Sequence, residues 1–583
     1  MTVESVESAD RCGGLIDFSN CAEEILFLLK VHGVDYLFLN PGTDSAPLQE
    51  AALALRDRGV NIPKIIACSF ESVALAAAHG YWQRTGIPQA VFVHVDVGTQ
   101  NLGAMVHNIL RDRAGVLVLA GKTPYSDDQD VPGSRSSMIH WQQDVPDQAG
   151  ILRSYAKWTF ELSRSSETSQ VIGRSVQIAA GGIPGLAYLM LSRDVLMDPP
   201  SKKTQRRIDR FARPIPAAMD IEALRRIVDL LMSARSPVII TGRLGLGGLD
   251  VLGKLSVLGS IPVISRHPSA MLSSSHPMQI RSEKVAKEVI EDSDLLLAIE
   301  CDVPWVPSRT TVRREAIVVQ IDSDPIKANM PLWVFPIDIG VVANGDLALK
   351  QLYNDMSAQI RKARNRRADR NMKLNLNNSD GTEEAVRSAG SVMERPTLED
   401  VISKINSVLT PEDIVVLEAV TSNPIVLQSL ERLEPGNVCF SGGPGLGWAL
   451  GASVGVKLAS SQRRVLAVVG DGAFMFGVPT SALCLAAEAR APFVTVVLNN
   501  DGYRASRLPV YELFPKGASA KAGEVIGTQF IQPPDFSAIA RACGAYGRRV
   551  DTLSDLLPAL QEAFSVLDSG NCAVVDVHLE CGG

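Results

Sequence analysis

Arg464-Val465-Leu466-Ala467-Val468-Val469 reads as a buried strand, and it runs straight into Gly470-Asp471-Gly472-Ala473-Phe474. A helical pattern follows from about Pro479 to Arg490. A second apolar, β-branched run, Pro492 to Leu498, then ends at Asn499-Asn500-Asp501-Gly502-Tyr503. Strand, helix, strand is the unit of a parallel sheet. Two consecutive strands of such a sheet deliver Gly-Asp-Gly and Asn-Asn to one carboxyl-terminal edge, the edge at which α/β folds bind ligands.

The residue types at that edge suit a diphosphate carried on a small hard cation. Mg²⁺ takes six oxygens in an octahedron shared among protein, water and phosphate. Asp471 offers a carboxylate oxygen, Asn500 an amide oxygen and Gly502 a backbone carbonyl. The glycines flanking Asp471 let backbone N–H groups approach an anion near a helix start.

Outward from this block, three stretches alternate strand-like and helix-like patterns. They predict an α/β protein of three doubly wound parallel-sheet domains: residues 1–200, 215–355 and 397–583, with a linker over 356–396. In the first, Val34 to Leu39, Ile65 to Cys68, Ala90 to Val95 and Val116 to Ala120 read as strands, and Ser72 to Arg84 as an Ala-rich helix. In the second, Pro237 to Ile240, Ile261 to Ile264, Leu295 to Ile299 and Ile317 to Ile321 are strands. The first and third stretches could share an architecture.

The turn Gly242-Arg243-Leu244-Gly245-Leu246-Gly247-Gly248 invites a dinucleotide reading, but a Rossmann site wants an acidic residue closing the next strand. Ser265 and Arg266 stand there, so the turn reads as a tight strand-to-helix connection, and FAD or NAD binding is not supported. Arg361-Lys362-Ala363-Arg364-Asn365-Arg366-Arg367 is basic, and Asn375 to Ser391 is polar; both read as solvated helix or linker.

With 46% hydrophobic and 21% charged residues, the composition is that of a globular protein. A net charge of −7 leaves no electrostatic footprint for nucleic acid. Nine cysteines are scattered without paired spacing, which fits a reducing compartment. No apolar run reaches the roughly 18–20 residues that span a bilayer. The first twenty residues are polar and acidic, unlike a targeting peptide. The expectation is a cytoplasmic protein that meets neither membrane nor nucleic acid.

The Gly470–Tyr503 block resembles the diphosphate-binding signature of thiamine diphosphate enzymes, in the group containing acetolactate synthase, pyruvate decarboxylase and benzoylformate decarboxylase. The resemblance implies a pyrimidine-binding, a central and a diphosphate-binding domain, in that order. It implies thiamine diphosphate and Mg²⁺ as cofactors, with Gly470, Asp471, Gly472 and Ala473 at the diphosphate. Asp471, Asn500 and the Gly502 carbonyl become the metal ligands; between Asn499 and Asn500 the choice is open, with Asn500 preferred. In Ser441-Gly442-Gly443-Pro444-Gly445-Leu446-Gly447, Leu446 becomes the apolar prop beneath the cofactor and the Pro444 carbonyl an acceptor for its 4′-amino group. Because the cofactor of this group lies between subunits, a homodimer or homotetramer is implied.

Glu71, opening the helix Ser72 to Tyr81, matches the carboxylate that shares a proton with the cofactor pyrimidine. Small apolar neighbours would desolvate it. Thr43 in Asn40-Pro41-Gly42-Thr43 matches the place where benzoylformate decarboxylase-like enzymes have Ser. His94 matches a proton-transferring His of the same pattern, and His titrates near working pH. Gln143 resembles a region of acetolactate synthases and reads as structural. The adjacent His pair of pyruvate decarboxylases is absent, and Ser506 stands near the place of their acidic residue. The expected function is therefore decarboxylation of a 2-oxo acid followed by ligation to a carbonyl acceptor, giving an acyloin or acetolactate-type product. The alternative within the class is release of an aldehyde with His94 as donor. Outside it stand a non-catalytic subunit, against which Glu71 and Asp471 are both retained, and a flavin-dependent oxidoreductase.

Overall fold

The computed structural model describes residues 16–201, 211–360 and 394–580. Each of three domains is built on a six-stranded parallel sheet flanked by helices. The first holds β1 (Tyr36–Leu39), β2 (Lys64–Ala67), β3 (Gln89–Val93), β4 (Val116–Lys122), β5 (Trp158–Leu162) and β6 (Leu186–Ser192), in the order 2-1-3-4-6-5. The central domain holds β7 (Pro237–Thr241), β8 (Val263–Ser265), β9 (Gln279–Ile280), β10 (Leu295–Ile299), β11 (Ile317–Asp322) and β12 (Ile339–Val342). Their order, read from the β9 edge, is 9-8-7-10-11-12, the doubly wound order of dinucleotide-binding folds. The third holds β13 (Ile414–Glu418), β14 (Val438–Phe440), β15 (Val465–Gly470), β16 (Val494–Asn499), β17 (Tyr546–Val550) and β18 (Ala573–His578), ordered 14-13-15-16-18-17. Counted from each domain's own first strand, that is the order of the first domain.

Strands buried on both faces need continuous apolar runs, and β15 and β16 supply them: Val465 to Val469 and Val494 to Leu498 are all buried. They pair in parallel register, Leu466 opposite Val494 through Gly470 opposite Leu498. β9 and β12 escape a pattern reading, the first because it is two residues long and the second because its burial alternates. The last helix of the central domain, Gly345–Ile360, runs up to the basic and polar segments noted above. Those segments, Arg361 to Arg367 and Asn375 to Ser391, lie outside the described residues.

The first and third domains share one hydrophobic core. Phe38, Val73, Ala77 and Val91 of the first pack in a single buried cluster with Trp448, Val454, Val469 and Phe474 of the third. Its centre is the crossing of helix Glu71–Thr85 with helix Trp448–Ala459. The approach is so close that a Cβ on Gly80 would sit 2.2 Å from the Ala452 carbonyl oxygen, and one on Gly455 would sit 1.8 Å from that of Ala77. The Ala/Gly run in Ala76-Ala77-Ala78-His79-Gly80 therefore serves backbone-to-backbone packing.

The central domain docks through charge. Arg113 pairs with Glu300, Asp302 and Asp322 at 2.8–3.0 Å, and Arg243 pairs with Asp302 at 2.8 Å and Asp112 at 3.3 Å. Lys327 closes the network on Asp302 and Asp322. Buried charges survive only when mutually paired, and here every member is. Asp112 also bonds His79 Nε2 at 2.7 Å, while Trp448 Nε1–H donates to His79 Nδ1 at 3.0 Å. His79 thus carries its proton on Nε2 and joins the third domain to Asp112, which in turn pairs with Arg243 of the central domain. Burial alone would raise Asp112, yet the nearby His267 ring, 3.4 Å away, and the His79 hydrogen bond hold it well below the usual carboxylate range. Among the described residues no helix is long and apolar enough to cross a membrane.

Candidate functional site

At the third sheet's carboxyl-terminal edge, Gly470 ends β15 and caps a short helix, Asp471–Phe476. This helix is separate from the expected one, Pro479–Ala489. The chain breaks between them at Val478, whose φ of 45° no helix continues through. The Asp471 side chain is 2% exposed. It accepts N–H bonds from Gly472 at 2.7 Å, Gly502 at 2.9 Å and Asn500 at 3.1 Å. Burial pushes this carboxyl up, against the three donors. The strand ends therefore converge on one carboxylate, as the spacing of the motifs predicts.

The two asparagines differ sharply. Asn499 is spent on structure: its Nδ2 donates to Asp576 at 2.9 Å and lies 3.3 Å from His578 Nε2, while its Oδ1 accepts the Asp501 N–H. Asn500 Oδ1 and Asp501 Oδ1 are buried without a partner among the described residues. Buried oxygens left unbonded are costly, and two beside one carboxylate mark a place for a bound group. The Gly502 carbonyl accepts the Arg504 N–H at 3.2 Å, which leaves its second lone pair. Ala473 is buried behind Asp471, and the Tyr503 ring covers Gly472, whose Cβ would lie 3.0 Å from it.

The segment before helix Trp448–Ala459 is held from both sides. Asn108 of the first domain clamps Gly445, donating to its carbonyl and accepting its N–H, each at 2.8 Å. Glu418, the last residue of β13, accepts the N–H groups of Gly447, Trp448 and Ala449 at 2.7–3.1 Å. Burial pushes the Glu418 carboxyl up to about 7. Pro444 is exposed, and Leu446 is half-buried against the shared core. Neither Asn108 nor Glu418 carries a local motif; only the fold reveals them.

At the first sheet's edge, Glu71 opens helix Glu71–Thr85, half-buried, and its Oε2 accepts from Asn101 Nδ2 at 3.2 Å. His94 follows β3 and caps the helix Val95–Asn101. Its Nδ1 lies 2.5 Å from Oδ1 of Asp44, a residue 2% exposed. The Asp44 hydrogen bond raises the His94 imidazole above its ordinary value. Thr43 is exposed in the same turn. Sequence reading passed over Asp44, although it directly follows Thr43. Gln143 is buried with neither side-chain atom partnered among the described residues, so a purely structural role leaves its amide unexplained.

Glu71 and His94 are near enough to feel each other's charge. No hydrogen bond or ion pair joins them to Asp471 or Asn500 among the described residues of the chain. Glu71 and His94 stand at the edge of the first sheet, and Asp471 and Asn500 at the edge of the third.

The central turn does not fit a dinucleotide. Asp346 accepts the Gly245 N–H at 3.0 Å, and a Cβ on Gly248 would sit 2.1 Å from its Oδ1. A carboxylate of the chain itself occupies the start of helix Leu246–Gly259, where a pyrophosphate would have to lie. Arg243 is committed to Asp302 and Asp112.

Residues 19–151 match the N-terminal TPP binding domain of thiamine pyrophosphate enzymes, 224–352 their central domain, and 419–577 their C-terminal TPP binding domain. The benzoylformate decarboxylase of Pseudomonas aeruginosa is 24% identical over 92% of this chain and 95% of its own. The probable acetolactate synthase large subunit of Methanococcus aeolicus is 22% identical over 94% and 90%. Among solved structures, a thiamine diphosphate-dependent 4-hydroxybenzoylformate decarboxylase of Rhodococcus jostii RHA1 superposes with a TM-score of 0.74 at 20% identity, over 96% of this chain and all of its own. With all three domain models matched in order over most of its length, the chain belongs to the thiamine pyrophosphate enzyme family.

Proposed function

We propose that the protein is a thiamine diphosphate- and Mg²⁺-dependent enzyme that decarboxylates a 2-oxo acid and releases an aldehyde. Support for the anchor comes from Asp471 and the orphaned Asn500 Oδ1, which with the Gly502 carbonyl form an all-oxygen set suited to Mg²⁺. Gly470, Gly472 and Ala473 would line the diphosphate, and Leu446 and the Pro444 carbonyl would orient the rings. When bound, thiamine diphosphate supplies the nucleophilic carbon that attacks the 2-oxo group and accepts the electrons released with CO₂. Glu71 would share a proton with the pyrimidine of the bound cofactor. Thr43 lines the substrate side. As the family resemblance implies, a homodimer or homotetramer would complete each site between the first domain of one subunit and the third domain of another.

The single observation that carries the outcome is the His94–Asp44 pair, a proton donor at the first-domain edge. A donor there favours aldehyde release over the carboligation expected from the general build. Ligation to a second carbonyl is the second reading, favoured by the acetolactate synthases that match over most of the chain. The test is metal-depleted protein reloaded with Mg²⁺ and thiamine diphosphate, then given a panel of aryl and alkyl 2-oxo acids. CO₂ with one equivalent of aldehyde is the expected result. A chiral acyloin would decide for ligation, and absence of CO₂ from every acid would reject both readings.

A further inference from the structure

We infer that Asp44 is the positioning residue for His94: its buried carboxylate holds Nδ1–H, so that Nε2 is the atom that delivers the proton. The inference rests on the proposed aldehyde release and adds what makes His94 a donor.

The pair is built in, not a chance approach. The chain leaves β1 through Asn40-Pro41-Gly42-Thr43-Asp44 and drops Asp44 beneath the imidazole. A Cβ on Gly121 of β4 would sit 1.3 Å from Asp44 Oδ2, and one on Gly42 would sit 2.3 Å from His94 Nδ1. Only glycine at both places leaves room. The second Asp44 oxygen accepts the Val95 N–H at 3.3 Å. Val95 has a φ of 34°, a conformation that a β-branched residue avoids. Strained backbone beside a candidate catalytic side chain, held by that side chain's own partner, points to orientation as its purpose. Nε2 makes no hydrogen bond among the described residues, and the ring is 23% exposed.

Four titratable groups face His94. Asp44 comes from the turn after β1, Asp96 from its own helix and Glu71 from helix Glu71–Thr85, and all three favour the imidazolium. His140, on helix Ile139–Gln142, lies within electrostatic reach of both His94 and Asp44. With Nδ1–H fixed on Asp44, the Nε2 proton passes to the carbon from which CO₂ departed. The imidazolium becomes the neutral Nδ1–H tautomer, and solvent returns the proton.

The test is nuclear magnetic resonance of the full-length protein labelled at histidine ¹³Cε1 and ¹⁵N, without ligand, with His94 assigned by loss of its signal in His94→Gln. Wild-type His94 should be the Nδ1–H tautomer at high pH, with a midpoint above the ordinary histidine value. Asp44→Asn should lower that midpoint by about one pH unit or more. Should Asp44→Asn fail to fold, Gly121→Ala, which displaces the same carboxylate, is expected to give the same shift. An Nε2–H tautomer in the wild type, or an unchanged midpoint in the variant, overturns the assignment. With any 2-oxo acid that the wild type turns over, Asp44→Asn should move the pH limb of kcat by the same amount and leave KM nearly unchanged. Failure of the whole acid panel would reject the proposed function separately from the resonance result.

Discussion

The first and third domains repeat one strand order, yet their edges carry opposite chemistry. In each, the third strand ends at the N-cap of a short helix. After β3 that cap is His94, leading to Val95–Asn101; after β15 it is Gly470, leading to Asp471–Phe476. One position presents a titratable ring on a buried carboxylate, and the other a buried carboxylate ringed by N–H groups and orphaned oxygens. The scaffold fixes where a group can converge with its neighbours, and the side chains decide what it does there. On the proposed reading, the third-domain edge anchors and the first-domain edge moves protons.

Substitutions at the two edges should therefore fail differently. Asp471→Ala is expected to weaken Mg²⁺ and thiamine diphosphate binding beyond the roughly 10–100-fold cost of losing an outer partner of a metal site. Titration calorimetry on metal-depleted protein reads this directly, and wild-type affinity would break the contrast. Glu71→Gln, on the other edge, should keep cofactor affinity within a few-fold while CO₂ release falls at least about 100-fold, the lower range for a proton-transfer group. Loss of affinity in step with turnover would merge the two edges into one role.

The asparagine pair sharpens the anchor itself. Asn500→Ala should weaken Mg²⁺ binding and leave the melting temperature of the ligand-free protein nearly unchanged. Asn499→Ala should do the reverse, costing about 1–3 kcal/mol because Asp576 loses its donor in the core. Thermal unfolding beside metal titration separates them, and matching behaviour would remove the preference for Asn500.

The last expected effect is one of pH and concerns Glu418, which secures the backbone of Gly447, Trp448 and Ala449. Its folded value, about 7, lies above the ordinary 4.5. The folded chain therefore holds this proton more tightly than the unfolded chain. Its contribution is full below 4.5 and is lost as pH rises through about 7, by up to about 3 kcal/mol. Denaturant midpoints measured from pH 5 to 8 should fall for the wild type and fall less for Glu418→Gln. Equal slopes would show that the three N–H donors and the helix end offset burial completely.

Much of this was legible from residues alone. The runs Val465 to Val469 and Val494 to Leu498 could only be buried parallel strands, and their ends place Asp471 and Asn500 at one edge. The Ala-rich helix opened by Glu71 was equally plain, although that its small residues serve close packing on helix Trp448–Ala459 came only from the structure. Asp44 was not legible: it looks like a turn residue, and its partner lies fifty positions away. Asn108, Glu418 and Asp346 escaped for the same reason, since each bonds backbone groups of a distant segment. The central turn reads from its residues as a tight strand-to-helix connection, but the carboxylate that fills its space, Asp346, arrives from a later helix and only the structure shows it.

The sequence by itself determined the strand–motif–helix blocks and the convergence of Gly-Asp-Gly with Asn-Asn, because local pattern and parallel-sheet geometry suffice for that. Only the tertiary structure decided that Asn499 is committed to Asp576 while Asn500 is left bare, that Asp346 fills the central turn, and that Asp44 holds His94. Those outcomes depend on which side chains meet across tens or hundreds of residues, and on which buried polar atoms find a partner there; no spacing within a single segment records either.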